Sequence, residues 1–378
     1  MKTNHRLRSA FLLILTFVLT ACQSNWQILL IKDSQLSGEI TREDVAYYIE
    51  KSLEATETVP LGQLLYDNGY SIIDQIDLTL QSGESQTFVW DEIAELAIIS
   101  EEGAIIVGEK IFDPVSIAIS PSMLLDEINV SILDIAPTVA DAIGLPVLSG
   151  AQGQVRWAVQ GPIDQAVMIL LDGLQYDKLL SLIDQGVLPF FQNLNTIHAG
   201  LSVYPPITTS ASAALLTSTP PQEAGVFGYG YRSTDSLTLF DLAAEMDMDV
   251  IAVEGASLPF NLRNAETILS GDRDGNGFSD DNVFTNSIEV IDANLPDILY
   301  IHFHEIDDMG HSYGPESTEY KSAIISVDQY LSEIYDALPK ETFIVIFADH
   351  GMHETADGGN HGTLTAADMI IPIIFLEK

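Results

Sequence analysis

Apolar runs alternate with polar, helix-forming stretches over most of the chain. The clearest runs are continuous rather than alternating, and each has the length of one strand. They are Ala166–Leu171, Ile298–Phe303, Phe343–Phe347 and Met369–Leu376. Continuous apolar strands separated by helical patterns are typical of a mostly parallel sheet covered on both faces. Residues 125–378 are therefore predicted to form a doubly wound α/β domain, and Pro372 indicates an edge strand or a strand start.

A smaller unit precedes this domain. Residues 28–120 contain predicted strands at Ile28–Ile31 and Ile76–Leu80. Thr41 followed three residues later by Asp44 has the spacing of a capping box, which predicts a helix beginning there. The pattern favours a small mixed α/β domain, and it contains no motif that assigns the domain a role.

The N-terminus has the pattern of a targeting segment. Lys2, Arg6 and Arg8 precede the apolar run 10–20, which is too short to favour a spanning helix. Leu19-Thr-Ala-Cys22 resembles a bacterial lipobox, so residues 1–22 are predicted to be a lipoprotein signal peptide and 23–27 a tether. Acylated Cys22 would then hold the protein on the cell membrane, outside the cytoplasm. The alternative is an ordinary signal peptide with a chance cysteine.

Composition narrows the possible partners. The 378 residues include 15 Lys plus Arg and 55 Asp plus Glu, for a net charge of −40. This charge argues against nucleic acid or an anionic membrane face as a partner. A small-molecule substrate, with a lipid anchor as the contact to the membrane, fits better. The sequence defines no oligomeric state.

Acids and histidines follow the predicted strands. Asp172 follows the first strand, and Asp349-His350 follows the third. Asp307 and His311 follow the second strand, and His361 lies in a glycine-rich loop before the last. Ligands of open α/β sheets bind at the carboxyl ends of the strands, and carboxylates with imidazoles suit divalent metals. Any one of these residues alone fits a solvated loop or a core histidine, but four clusters together favour a site for two metal ions.

A candidate nucleophile lies between the first two strands. Pro205–Thr217 is predicted to be a loop entering a helix of small residues. A hydroxyl at a helix N-terminus beside a metal can become an alkoxide nucleophile. Thr208, Thr209 and Ser210 are the candidates, and simple N-capping by any of them is the alternative.

Together these motifs resemble the alkaline phosphatase superfamily, most closely its type I phosphodiesterase/nucleotide pyrophosphatase branch, over residues 166–376. The matching signals are Leu171-Asp172-Gly173, Thr208 with Leu215 and Thr217, Asp307 to His311, Ala348 to Gly351, and His361-Gly362. The resemblance implies two zinc or manganese ions, one held by Asp307, His311 and His361. It implies that Asp172, Asp349, His350 and Thr208 hold the other.

The resemblance also implies a reaction and leaves its substrate open. Thr208 would attack phosphorus in line and form a phosphothreonine, which is then hydrolysed. Ala211 stands where the branch usually has a phosphate-binding Asn, so monoesters and diesters both remain possible. The helix pattern 134–146 precedes the core, whereas in the superfamily it follows the last strand. We hypothesise a circular permutation that packs this helix beside Met369–Leu376.

A polar loop has partial calcium-binding spacing. Asp272, Asp274, Asn276 and Asp280 occupy positions 1, 3, 5 and 9 of a calcium loop, but Val283 stands where position 12 requires Glu. A calcium site and a polar surface turn are the two interpretations.

The sequence as a whole predicts a metal-dependent phosphoesterase that acts outside the cytoplasm. The alternatives are a phosphomonoesterase or phosphotransferase of the same superfamily, and a non-catalytic ligand-binding lipoprotein.

Overall fold

A computed structural model describes residues 25–53, 55–273 and 275–378. The predicted signal peptide, Cys22 and Asp274 lie outside the described residues, so lipidation stays a prediction. Within the described ranges, every helix is too short or too polar to cross a bilayer.

The N-terminal unit contains two sheets, with strand orders β2-β1-β9-β4-β5 and β3-β6-β7-β8. The strands are β1 Gln27–Lys32, β2 Gln35–Thr41, β3 Thr58–Pro60, β4 Ile73–Leu80, β5 Ser85–Val89, β6 Ala97–Ser100, β7 Ile105–Val107, β8 Lys110–Phe112 and β9 Pro114–Pro121. The helices are α1 Arg42–Lys51, α2 Leu61–Asp67 and α3 Trp90–Ile93. Helix α1 begins with the predicted capping box, in which the Thr41 and Asp44 side chains bond to each other's backbone N–H.

The rest of the chain forms an eight-stranded sheet of order β10-β12-β19-β16-β11-β15-β13-β14 and a small hairpin of β17 and β18. The strands are β10 Val130–Ser131, β11 Gln165–Leu171, β12 His198–Leu201, β13 Val250–Glu254, β14 Glu266–Leu269, β15 Ile298–Phe303, β16 Thr342–Phe347, β17 His353–Thr355, β18 Gly358–Asn360 and β19 Ile370–Glu377. The helices are α4 Ile135–Ala142, α5 Tyr176–Asp184, α6 Pro189–Gln192, α7 Thr208–Thr217, α8 Pro221–Ala224, α9 Leu239–Glu245, α10 Asp280–Asn294, α11 Glu305–Tyr313, α12 Thr318–Ala337 and α13 Ala366–Met369.

The large sheet is mostly parallel, which confirms the predicted α/β fold class. Central strand β11 pairs in parallel with β15 and β16, and β15 pairs in parallel with β13. Strand β19 runs antiparallel between β12 and β16 and is therefore internal, so it is not the edge strand that Pro372 left possible. Pro372 lies near the start of β19, beyond the last residue paired with β16, and its carbonyl accepts a bond from the Ala348 N–H at 3.2 Å. A missing N–H is tolerated at such a position.

Two apolar cores support the fold. One lies under the large sheet, and the other lies in the N-terminal unit but also includes Tyr204, Leu364, Met369 and Ile370. Buried Trp90 donates from its indole N–H to the Leu364 carbonyl at 3.0 Å, which joins the two parts of the chain. The N-terminal unit is therefore packed against the loops that precede β19.

Helix α4 lies on the large sheet. It contacts α7 and strand β16, and β16 is directly paired with β19. This is the placement expected from the permutation hypothesis, and the permutation itself stays a hypothesis.

Candidate active site

Seven side chains converge at the carboxyl edge of the large sheet, and we call them the central cluster. Their positions follow from the strands, because each parallel strand delivers the residue after its last apolar position to the same edge. Asp172 follows β11 and Asp349-His350 follows β16; Asp307 and His311 lie on α11, Thr208 begins α7, and His361 follows β18. These are the seven catalytic and metal-ligand positions predicted from the sequence, and the structure brings all of them together.

One half of the central cluster surrounds the Nε2 atom of His350. Asp172 Oδ1 lies 3.2 Å from this nitrogen and Asp349 Oδ2 lies 3.4 Å from it. The Thr208 hydroxyl is also 3.4 Å away. Donor atoms bound at about 2.0–2.1 Å to one tetrahedral zinc lie about 3.3–3.4 Å apart. The observed spacings fit donors that share a single ion.

The other half has the same spacing. His311 Nε2 lies 3.4 Å from Asp307 Oδ2, and His361 Nε2 lies 3.6 Å from Asp307 Oδ1. The two Nε2 atoms of His311 and His361 are 3.1 Å apart. The rings of His350 and His361 stack with centroids 3.6 Å apart, so the two halves are adjacent.

The hydrogen bonds of the three histidines leave one nitrogen of each for a ligand. Their Nδ1 atoms face backbone carbonyls: His311 that of Gly359 at 3.1 Å, His350 that of Gly351 at 3.0 Å, and His361 that of Pro206 at 3.0 Å. A carbonyl only accepts, so each Nδ1 carries a proton, and in the neutral imidazole the lone pair lies on Nε2. Metal-binding histidines are oriented in this way by their other ring N–H.

Three buried carboxylate oxygens of the central cluster lack a hydrogen-bond partner in the part of the chain that the structure describes. Asp172 Oδ1, Asp307 Oδ1 and Asp349 Oδ2 are all buried and accept no hydrogen bond within the described residues. An unpaired buried carboxylate oxygen is costly unless a cation neutralises it. Gly173 keeps the space open, since a Cβ there would lie 2.9 Å from Asp307 Oδ1. The residues present therefore fit a pair of divalent ions.

The crowded carboxylates shift one another's pKa values. Burial and the charge of Asp172 raise the pKa of Asp349 to about 6 and hold that of Asp307 well above its usual range. Burial also opposes ionisation of Asp172, but the neighbouring His302 and His350 keep its pKa low. Burial opposes protonation of His350, yet Asp349 and Asp172 raise its pKa to about 10. Burial and the neighbouring His350 lower the pKa of His361 to about 2, which keeps it a neutral ligand.

The structure separates the candidate nucleophiles. Thr208 is half-buried and faces His350, whereas the Thr209 hydroxyl donates to the Gly228 carbonyl at 3.2 Å. Ser210 is fully buried and its hydroxyl has no partner among the described residues. Of the three, Thr208 alone lies against the central cluster.

A second group of titratable residues lies beside the central cluster, and we call Glu254, His302 and His304 the supporting cluster; of these, Glu254 was missed from the sequence. Glu254 Oε2 lies 3.0 Å from His302 Nδ1 and 3.0 Å from His304 Nε2. His302 Nε2 in turn lies 3.1 Å from Asp172 Oδ2. Glu254 could have been predicted by the same reasoning as Asp172. It is the last residue of an apolar strand, and Asp172 directly follows one.

Tyr229 was also missed. Its hydroxyl lies 3.5 Å from both ring nitrogens of His361, so it borders the central cluster. Its position in an irregular segment carries no pattern from which this could have been predicted.

The described part of the predicted calcium loop uses its oxygens internally. The Asp272 carboxylate accepts hydrogen bonds from the Gly275 and Gly277 N–H groups, and the side-chain Oδ1 of Asn276 accepts one from the Phe278 N–H. Asp280 is fully buried, and its two oxygens accept from the N–H groups of His304 and Glu305 at 2.9 Å each. Asp280 thus caps the start of α11 with both side-chain oxygens. Calcium binding by the loop stays untested.

Comparison with known proteins supports the resemblance found in the motifs. Residues 272–369 match the family model described as type I phosphodiesterase / nucleotide pyrophosphatase. The GPI ethanolamine phosphate transferase 2 of Schizosaccharomyces pombe is 28% identical over 244 residues, 56% of this chain and 31% of that protein. The GPI ethanolamine phosphate transferase 3 of Saccharomyces cerevisiae is 24% identical over 226 residues, 53% of this chain and 22% of that protein.

The chain thus spans less than a third of the length of either relative. Among solved structures, phosphonoacetate hydrolase from Sinorhizobium meliloti 1021 aligns with 50% of this chain and 57% of its own, at 23% identity and a TM-score of 0.40. The family match covers the segment that supplies Asp307, His311, Asp349, His350 and His361. The resemblance of this chain to the type I phosphodiesterase/nucleotide pyrophosphatase family is therefore confirmed over residues 272–369.

Proposed function

We propose that this chain is a metal-dependent phosphotransferase that cleaves a phosphate ester through Thr208 and passes the phosphoryl group to an alcohol. The sequence alone favoured hydrolysis, with transfer as an alternative. The names of the curated relatives, both phosphate transferases, support the alternative. Because the chain covers only part of those proteins, their substrates are not carried over, and the acceptor is proposed only as an alcohol.

The observation that carries the proposal is the place of the Thr208 hydroxyl. It is the only hydroxyl of the 208–210 segment that faces the central cluster, 3.4 Å from His350 Nε2. That distance is long for a hydrogen bond but fits two donors on one ion. A bound divalent ion would lower the pKa of the hydroxyl and neutralise the charge that develops on the phosphate oxygens.

The chain's own residues provide the rest of the chemistry. Thr208 opens helix α7, so the first backbone N–H groups of this ten-residue helix would face a phosphate bound at Thr208 and favour its charge. The Thr208 oxygen forms a bond to phosphorus while the bond to the first alcohol breaks, which leaves a phosphothreonine. The second alcohol, or water, then attacks phosphorus and releases the Thr208 oxygen.

The central cluster would orient these groups. Asp172 and Asp349 approach the Thr208 side, and Asp307, His311 and His361 form the opposite side on which the alcohol oxygen would lie. We infer zinc from the three imidazoles, and manganese is the other metal that suits this donor set. Lipid anchoring through Cys22 outside the cytoplasm is proposed from the sequence only.

Trapping the intermediate in the presence of an acceptor tests the proposal. Purified protein with zinc or manganese is mixed with a nitrophenyl phosphodiester, with and without a simple alcohol, and is quenched in acid. We expect an adduct on Thr208 that carries phosphorus with its second ester group, detected by mass spectrometry, and a new diester of the added alcohol in place of part of the monoester that hydrolysis releases. Adduct without alcohol product would favour the hydrolase, and absence of both products would contradict the proposal.

A further inference from the structure

We infer that Glu254 and His302 are positioning residues that fix Asp172 for metal binding, His302 through a hydrogen bond to Asp172 and Glu254 through its contact with His302. The inference rests on the proposed function only in taking Asp172 as a metal ligand. It assigns a role to two buried residues that neither the motifs nor the proposed reaction uses.

The strand register places the three groups in line. Val253 of β13 pairs with Ile301 of β15, and His302 of β15 pairs with Leu170 of β11. Successive side chains of a strand alternate between faces, so His302 lies on the same face as Leu170 and Asp172. Glu254, His302 and Asp172 therefore cross three neighbouring strands at the edge that holds the central cluster.

The His302 ring lies between two carboxylates. His302 Nε2 lies 3.1 Å from Asp172 Oδ2, and Nδ1 lies 3.0 Å from Glu254 Oε2. The Nε2 contact with Asp172 is a hydrogen bond, whereas the Nδ1 contact with Glu254 has the distance of an ion pair without hydrogen-bond geometry. Each nitrogen of this ring thus faces a carboxylate, whereas the Nδ1 atoms of the three histidines of the central cluster face backbone carbonyls. His302 therefore acts through Asp172.

Burial makes the arrangement rigid. His302 has no exposed surface and Glu254 is 1% exposed, so water does not compete for either group. Glu254 also lies 3.0 Å from His304 Nε2, and a Cβ at Gly255 would lie 2.8 Å from the His304 ring. With Oδ2 of Asp172 held by His302, only Oδ1 faces His350, at 3.2 Å. One oxygen of Asp172 is thus committed to orientation and the other is free for the ion.

The experiment measures metal affinity rather than activity. His302→Phe removes both ring nitrogens, His302→Gln keeps one amide donor, and Glu254→Gln keeps the shape but removes the charge. Zinc affinity is measured by competition with a chelating dye, with urea unfolding in parallel. His198→Phe is the matched control, because His198 contacts the Phe375 ring and lies outside both clusters.

We expect His302→Phe to weaken zinc binding about 10–100-fold, as the loss of an outer hydrogen-bond partner does in other metal sites. His302→Gln should restore much of the affinity, Glu254→Gln should fall between the two, and His198→Phe should change nothing. If His302→Phe fails to fold, the Glu254→Gln and His302→Gln pair decides the question.

Two results would overturn the inference. Unchanged zinc affinity in folded His302→Phe would leave His302 a packing residue. A wild-type protein with three ions, of which His302→Phe loses one completely, would make the supporting cluster a metal site itself. A wild-type protein that binds no divalent ion would instead contradict the proposed function.

Discussion

The central and supporting clusters lie on one sheet edge and share residue types, yet they differ in where their hydrogen bonds go. In the central cluster, each histidine donates from Nδ1 to a carbonyl and three carboxylate oxygens stay unpaired. In the supporting cluster, His302 has a carboxylate against each nitrogen. Composition therefore does not separate a metal site from an ion pair, whereas the partner of each nitrogen does.

The same contrast applies to His353, a histidine outside both clusters. His353 Nδ1 lies 2.8 Å from Asp368 and its Nε2 lies 3.1 Å from Glu95 of the N-terminal unit. Like His302, it has an acid on both sides. Histidines that face a backbone carbonyl at Nδ1 are therefore expected to affect metal binding, and histidines between two acids are expected to affect stability and its pH dependence.

The largest effect is expected at the nucleophile. Thr208→Ala should lower the turnover of a nitrophenyl diester by about 1000-fold or more while leaving metal affinity nearly unchanged, because the bond-forming oxygen is removed. Thr209→Ala is the matched control, since its hydroxyl bonds to Gly228 instead. Equal losses in the two variants, measured by initial rates, would contradict the assignment of Thr208.

Metal removal should give the next largest effect. Zinc at about a hundredfold excess over its dissociation constant should raise the free energy of unfolding by about 3 kcal/mol, because it binds only the folded central cluster. Asp307→Ala should abolish most of this gain, measured by urea unfolding with and without chelator. Asp308→Ala on the same helix is the control, since that side chain is exposed. A zinc response that survives in Asp307→Ala would place the ion elsewhere.

Asp280 tests the same comparison for carboxylates, because its oxygens bond to the backbone whereas those of the central cluster stay unpaired. Its oxygens accept two backbone N–H groups, so Asp280→Ala should lower the free energy of unfolding by about 1–2 kcal/mol. Asp272→Ala, in the exposed loop, should cost less. A calcium-dependent rise in the unfolding midpoint that Asp280→Ala eliminates would make it a calcium ligand after all.

The smallest effect is expected at His353. Burial opposes its protonation, but Asp368 and Glu95 raise its pKa to about 9. A raised pKa means that the protonated form stabilises the fold fully below about pH 6.5, and that this contribution is lost as pH rises through about 9. Solvent screening reduces it to about 1–2 kcal/mol. Unfolding measured near pH 6 and near pH 10 should show a larger decrease in the wild type than in His353→Gln. Equal decreases in the two proteins would contradict a stabilising role of this ion pair.

The sequence predicted the large sheet and all seven members of the central cluster because each lies in a local motif. Continuous apolar runs mark strands that are buried on both faces, and the residue after each run falls at the sheet edge. Asp172 and Asp349 are found by this reasoning without any knowledge of the fold. The ligand assignments themselves depend on the resemblance to the family and remain to be tested.

Other features depend on contacts between distant parts of the chain. Glu254 and His302 are 48 positions apart and meet only through the strand order, which one sequence does not specify. Pro372 indicated an edge strand or a strand start because a proline lacks a donor; it lies near the start of an internal strand, paired with β12 but beyond the last residue paired with β16. Asp280 fitted a loop spacing but bonds to the helix that follows β15. In each case the role of the residue depends on the group that it contacts in the fold, which the residue type alone does not specify.

Metal content of the purified chain tests the central claim most directly. After dialysis, elemental analysis of the wild type should find two divalent ions per chain, and Asp307→Ala should retain fewer. The absence of bound divalent ions from folded wild-type protein supplied with zinc and manganese would contradict the assignment of the central cluster as a metal centre.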